Sequence, residues 1–313
     1  MTAYLVRRVL AVIPVMAVVA VFVFILLRLA PGDPAAIIAG DDASAADIAA
    51  IRGKLGLDRP VIEQFVLWII RLAQGDLGIS IFSNLPVTQL IAQRIEPTVA
   101  LTLSTLLVAV ALAIPTGVIA AWKARTLVDR AVMVFAVLGF ALPVFLVGYI
   151  LVYLFAVQLG WLPVQGYRPI AEGFWPWLEA LILPSIALGT TYMALIARIT
   201  RASMLEVLSE DYIRTAHSKG LTSPRILLLH ALKNAAVPIV TVIGIGVALL
   251  ISGVVITETV FNIPGLGRLT VDAVLKRDYP IVQGLILVFA AAKVLINLAV
   301  DLSYAVLDPR IRY

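Results

Sequence analysis

The sequence predicts an all-α, polytopic membrane protein with six transmembrane helices. Three observations carry that reading. Hydrophobic residues make up 62% of the 313-residue chain, and its mean hydropathy is +1.04. Charged residues make up only 14%, against about a quarter in an ordinary soluble domain. Six runs, at 9–29, 99–122, 131–159, 178–199, 235–257 and 281–300, supply the roughly 20 apolar residues that a helix needs to cross a bilayer.

The first run is longer than the apolar core of a signal peptide and ends in Arg28-Leu29-Ala30-Pro31-Gly32, so it is expected to be a retained span. The segment 30–98 is too long for a bare connector. Ser44 with Asp47 predicts a capped short helix to about Leu55, closed by Gly56. Pro60 predicts the start of a second helix reaching about Gln74. Its apolar run Phe65-Val66-Leu67-Trp68-Ile69-Ile70 is too short to span, which leaves an interfacial helix or one packed on the bundle. A further short helix is expected over 85–94.

The third run is long enough to tilt or to project from the membrane. Pro14, Pro115, Pro143, Pro184 and Pro238 lie in or beside runs and are read as kinks rather than breaks, because neighbouring groups can satisfy the freed carbonyls. Gly244, Gly246, Ala248 and Gly253 allow close helix contact along the fifth run. Within the sixth, Lys293, Asn297 and Asp301 are spaced four apart on one face and predict a polar seam, because a cation in hydrocarbon costs about 2.5–3.5 kcal/mol. Thr190, Thr191 and Tyr192 inside the fourth run and Thr257 with Glu258 at the end of the fifth are candidates for a solute path. Internal hydrogen bonding is the simpler role for the threonines.

The pieces 1–8, 123–130, 200–234 and 301–313 concentrate basic residues, among them Arg7, Arg8, Lys123, Arg125, Arg130, Arg201, Arg214, Lys219, Arg225, Lys233, Arg310 and Arg312. Segment 30–98 instead has an acidic excess. The positive-inside rule then places both termini in the cytoplasm and 30–98 outside. A net charge of +5 with no clustered basic face excludes a nucleic-acid binder. The absence of cysteine excludes disulfides and thiolate metal sites. Phosphate-loop, zinc-hydrolase and serine-hydrolase motifs are missing. His217 and His230 lack the companions of a metal or catalytic set, so the chain is not expected to be an enzyme. Uphill transport would need an ion gradient or a motor subunit.

The loop 200–234 is the informative piece. Ser209 is expected to cap a helix whose first turn holds Glu210 and Asp211, with Lys219 in the last turn and Gly220 just beyond. Tyr212, Ala216 and Lys219 share a face. Spacing alone leaves open a knob that docks into a partner and a surface helix with none.

The stretch Glu210-Asp211-Tyr212-Ile213-Arg214-Thr215-Ala216-His217-Ser218-Lys219-Gly220, followed by Asn234-Ala235-Ala236-Val237-Pro238, resembles the EAA loop of binding-protein-dependent ABC importer permeases. The resemblance narrows to the dipeptide and oligopeptide permease family, with its glutathione and nickel importers. Leu29-Ala30-Pro31-Gly32-Asp33-Pro34, Gly75-Asp76-Leu77-Gly78, Phe261-Asn262-Ile263-Pro264-Gly265-Leu266-Gly267-Arg268, Arg277-Asp278-Tyr279-Pro280 and the closing 301–313 support it in order. Three residues depart from the general pattern. Tyr212 replaces the first alanine of the EAA motif, as is usual in this subfamily, and His217-Ser218 stands where members often carry Arg-Ala.

The resemblance implies one permease domain over 1–313, with the ABC importer type I (MetI-like) fold, in the bacterial inner membrane. It implies a coupling helix seated on an ATPase subunit, made of Glu210, Asp211, Tyr212, Arg214, Thr215, Ala216, Lys219 and Gly220. The implied partners are a second homologous permease subunit, two ATPase subunits and a periplasmic or lipid-anchored solute-binding protein. No cofactor is expected on this chain, ATP and magnesium belonging to the partners. An ion-coupled secondary transporter is the alternative, disfavoured because the mid-span charge, Lys293, is basic and no repeat is evident.

Overall fold

The computed structural model describes residues 2–29, 34–39, 44–54 and 56–307. The motif start at 30–33 and the tail at 308–313 lie outside them. Thirteen helices account for most of the described chain, and no strand occurs among the described residues beyond an isolated bridge between Ile79 and Pro86. They are α1 (Thr2–Leu29), α2 (Pro34–Ala39), α3 (Ala45–Lys54), α4 (Val61–Ala73), α5 (Val87–Trp122), α6 (Leu127–Ala141), α7 (Val144–Gln158), α8 (Phe174–Leu208), α9 (Asp211–Ser218), α10 (Ser223–Asn234), α11 (Ala236–Val260), α12 (Leu266–Lys276) and α13 (Tyr279–Leu307).

All six expected runs are helical. Three helices, α5, α8 and α13, are individually long and apolar enough to cross a membrane, and α1 contributes the apolar stretch Leu10–Ile25. The third run differs from expectation. It is broken between α6 and α7, which meet at 104°. Leu142 is extended (φ −80°, ψ 131°) because Pro143 sterically disfavours the helical region for the residue before it. Pro143 is therefore a break, whereas Pro14, Pro115 and Pro184 lie within continuous helices. The helix expected over 85–94 is not separate. It forms the first turns of α5, which runs on through Pro97 into the second run without interruption.

The chain groups into two compact units. The larger comprises Glu96–Arg268 and Leu295–Tyr313, the smaller Thr2–Ile95 and Leu269–Val294. In the larger unit α8 is the hub and packs on α6, α7 and α11. Its buried face includes Leu181, Leu183, Leu188, Ile196 and Ala197, joined in one core by Leu101, Leu250, Val254 and Ile263. Close approach follows the small residues: Gly253 faces Leu188 and Gly244 faces Val300. Tyr167, in the connection before α8, donates its hydroxyl to Glu96 and accepts from Trp177 Nε1 at 3.1 Å. Burial, then the Glu96 carboxylate, pushes that phenol above its ordinary range.

In the smaller unit the capping box opens α3. Ser44 Oγ accepts from the Asp47 N–H at 3.3 Å, and Asp47 accepts from the Ser44 N–H at 3.2 Å. Helix α4 lies against α1, with Phe65 and Trp68 around Phe24 at centroid separations of 4.9 and 5.7 Å. Two motifs far apart in sequence meet here. Ser80 Oγ donates to the buried Asp278 carboxylate at 2.6 Å, and a Cβ at Gly78 would lie 3.6 Å from Pro280.

Candidate functional site

Helix α9 stands apart from the long helices as a short, firmly held projection. Its underside is Ile213, 2% exposed, packed with Val118, Ala121, Met204, Ile226, Leu227, Ala231, Ala235 and Ile239. These residues come from the ends of α5 and α8, from α10, from its junction with α11 at Ala235 and from the start of α11. A hydrogen bond from Asn234 Nδ2 to the Tyr212 hydroxyl, 3.0 Å, adds a second tie. The two halves of the resemblance, 210–220 and 234–238, are thus one packed object.

Both ends of α9 are defined. Gly220 has φ +80°, a conformation glycine adopts without cost. The Leu221 N–H donates to Ala216 O at 3.2 Å and the Gly220 N–H to His217 O at 2.9 Å, the paired closure of a Schellman motif. Leu221 and Ala216 flank the same core, its usual apolar contact. The amino end differs from expectation. Glu210 is the capping residue, extended at φ −70° and ψ 146°, and no side chain caps it. Ser209 instead donates its hydroxyl to Glu206 O at 2.7 Å, back into α8, which runs on to Leu208. Asp211 sits in the first turn, favourable to the helix dipole.

The exposed face carries Asp211, Arg214, Thr215, His217, Ser218 and Lys219, with Tyr212 42% exposed at its edge. Ala216 is half-buried and belongs to the packed side, so it does not share an exposed face with Tyr212 and Lys219. The Asp211–Arg214 pair is long, 3.3 Å, and solvated on both sides, so it contributes little. The exposed face carries charge and hydrogen-bonding groups, while packing holds the opposite face in place.

Two buried carboxylates are held by partners that sequence spacing does not show. Asp129, 4% exposed, accepts from Nε and Nη2 of Arg201 at 2.5 and 2.7 Å, and from the Arg125 N–H at 2.9 Å. It joins the start of α6 to the far end of α8. Glu258, 0% exposed, accepts the Thr98 hydroxyl at 2.6 Å and the Arg268 N–H at 2.9 Å. Thr98 Oγ in turn accepts the Leu266 N–H at 2.7 Å. Together they satisfy donors at the start of α12, which bears no side-chain cap of its own from the preceding Ile263-Pro264-Gly265.

The other polar candidates are separate from this site. Thr190 donates to Ala187 O at 2.9 Å, as expected for a threonine in a span. Thr191 differs: its buried hydroxyl has no partner among the described residues. Lys293 and Asn297 are exposed and Asp301 is partly buried. His217 is exposed and His230 half-buried.

A chain of long apolar helices, with a short polar-faced helix packed at their ends, has the architecture of a polytopic membrane protein. The model of the family described as "Binding-protein-dependent transport system inner membrane component" matches residues 113–313, and that of its N-terminal region matches 1–102. The chain belongs to this family. It is 54% identical, over the full length of both chains, to the probable peptide ABC transporter permease protein y4tP of Sinorhizobium fredii. It is 45% identical over 99% of both chains to the glutathione transport system permease protein GsiC of Escherichia coli K12. A putative peptide transport system permease of Brucella abortus is 44% identical over both full lengths. Among solved structures, an inward-facing MetNI methionine ABC transporter chain aligns with TM-score 0.59 and 16% identity, over 70% of this chain and 97% of that one, which establishes the shared fold.

Proposed function

We propose that this permease forms half of the translocation pathway of an ATP-driven importer for dipeptides, oligopeptides or a related small solute such as glutathione. The substrate class rests on the names of the peptide and glutathione permeases to which the chain is similar over its whole length. A second permease subunit completes the pathway, two ATPase subunits sit on the cytoplasmic side, and a binding protein delivers solute from outside. The basic pieces, α9 included, face the cytoplasm with both termini. ATP binding closes the ATPases, α9 moves with them as a lever, and the long helices pass between inward-open and outward-open states. Differential nucleotide affinity for those two states drives the shift.

The carrying observation is the construction of α9: an exposed polar face on a helix locked by Ile213 and by the Gly220 closure. Force applied to such an element is transmitted to α5, α8 and α11 rather than dissipated in a flexible loop. Gly220→Pro removes the N–H donated to His217 and cannot reach φ +80°. In vesicles holding the complete transporter, this variant is expected to insert and assemble normally but to lose ATP-driven uptake of labelled peptide. Unchanged uptake by the variant, or accumulation by the isolated chain on an ion gradient alone, overturns the reading.

A further inference from the structure

Helix α4 divides into three sectors. Phe65 and Trp68 pack against Phe24 of α1. Glu63 and Arg71 are charged and exposed. Between these lie Ile62, Val66 and Ile70, spaced four apart and therefore on one side of the helix, with exposures of 79%, 49% and 48%. An apolar stripe of this kind in water is unfavourable by about 25 cal/mol for each Å² left uncovered.

We propose that this stripe lies in the lipid of the membrane interface, so that α4 is a surface-lying helix clamped to α1 by its aromatic pair. Three observations favour lipid over a protein cover. First, α4 is fixed at the level where α1 ends. The Arg28 guanidinium donates to Gln64 Oε1 on α4 and to Phe24 O at 3.1 Å, and lies 3.5 Å over the Phe24 ring. A guanidinium at the end of an apolar helix belongs at the headgroup boundary, where its charge is hydrated. Second, α1 beside this clamp exposes Val21, Phe22 and Ile25, an apolar surface reaching the same turn that holds α4. Third, the stripe is one residue wide and bordered by Glu63. A docked globular partner needs about 20–30 residues a side, whereas an interfacial helix needs only an apolar face and a charged one.

The chain has no cysteine, so single cysteines at Ile62, Val66, Ile70, Glu63 and Arg71 can each carry a nitroxide, with Val18 on α1, 69% exposed, as the lipid reference. Power-saturation spectra are recorded for the full chain in nanodiscs, alone and within the assembled transporter, with oxygen and with a neutral nickel chelate as relaxants. Labels at Ile62, Val66 and Ile70 are expected to relax with oxygen and be shielded from nickel, as at Val18. The order is expected to reverse at Glu63 and Arg71. Nickel access along the stripe overturns the proposal in favour of water. Shielding from both relaxants in the assembly overturns it in favour of a protein partner. The exposed labelling sites leave the Phe24 clamp intact, and retention of the reversed order at Glu63 and Arg71 verifies that α4 is folded.

Discussion

A carboxylate without solvent exposure loses its hydration, and only donors placed around it make burial tolerable. Glu258 gains the Thr98 hydroxyl and the Arg268 N–H. Glu258→Ala strands these donors in a dry site. An unsatisfied buried donor costs about 1–3 kcal/mol, so thermal unfolding of the purified chain is expected at a clearly lower temperature. Gly265→Ala is expected to act in the same direction, because its Cβ would meet the Glu258 carboxylate at 2.1 Å. Asp129→Ala removes both acceptors of Arg201, and charged hydrogen bonds are worth about 1.5–3 kcal/mol each at most. Asp129→Asn keeps one acceptor and is expected to fall between it and the parent in the same melt. The sequence marks Glu258 as unusual, since an acid at the end of an apolar run invites a question. It cannot show the answer, because Thr98 lies 160 residues away. The same holds for Asp129 and Arg201, 72 apart, because spacing rules reach only one or two helical turns.

At the scale of elements, local chemistry decided what was legible. Gly220 announces the end of α9 because a positive φ there favours glycine. The Ser44–Asp47 box announces α3 for an equally local reason. The start of α9 misleads, because the Ser209 hydroxyl has a nearer acceptor in Glu206 O and back-bonds to α8. The break at Pro143 is a competition between apolar length, which favours one continuous span, and the steric limit on Leu142, which wins. The anchoring of α9 gives the prediction at this scale. Ile213→Ala empties a site 2% exposed, at a cost of about 2–5 kcal/mol confined to the packing beneath α9. Hydrogen exchange across 211–220 is expected to accelerate in this variant, with the α8 core around Leu188 unchanged. Thr215→Ala, on the exposed face, is expected to leave exchange as it was.

At the scale of the molecule, the long helices differ in how much of them the chain covers. Most of the apolar window of α8 is buried, whereas α13 has only 11% of its window buried. Lys293 and Asn297 are exposed on that least-covered helix. Facing hydrocarbon, a mid-span lysine costs about 2.5–3.5 kcal/mol, a cost that assembly relieves if another subunit or water covers this face. The four-residue spacing was legible as a polar face. What meets it was not, because a sequence encodes one side of an interface. Lys293→Met therefore separates two kinds of stability. In the isolated chain, removing an exposed cation from an apolar helix is expected to leave thermal stability unchanged or slightly raised. If a partner subunit covers this face, the same substitution removes a polar contact from the assembled transporter, and recovery of the permease with its partner subunits is expected to fall. Co-purification measured beside the melt of the chain alone distinguishes the cases: equal losses in both make Lys293 a residue of internal packing, and loss in assembly alone places it at a subunit boundary.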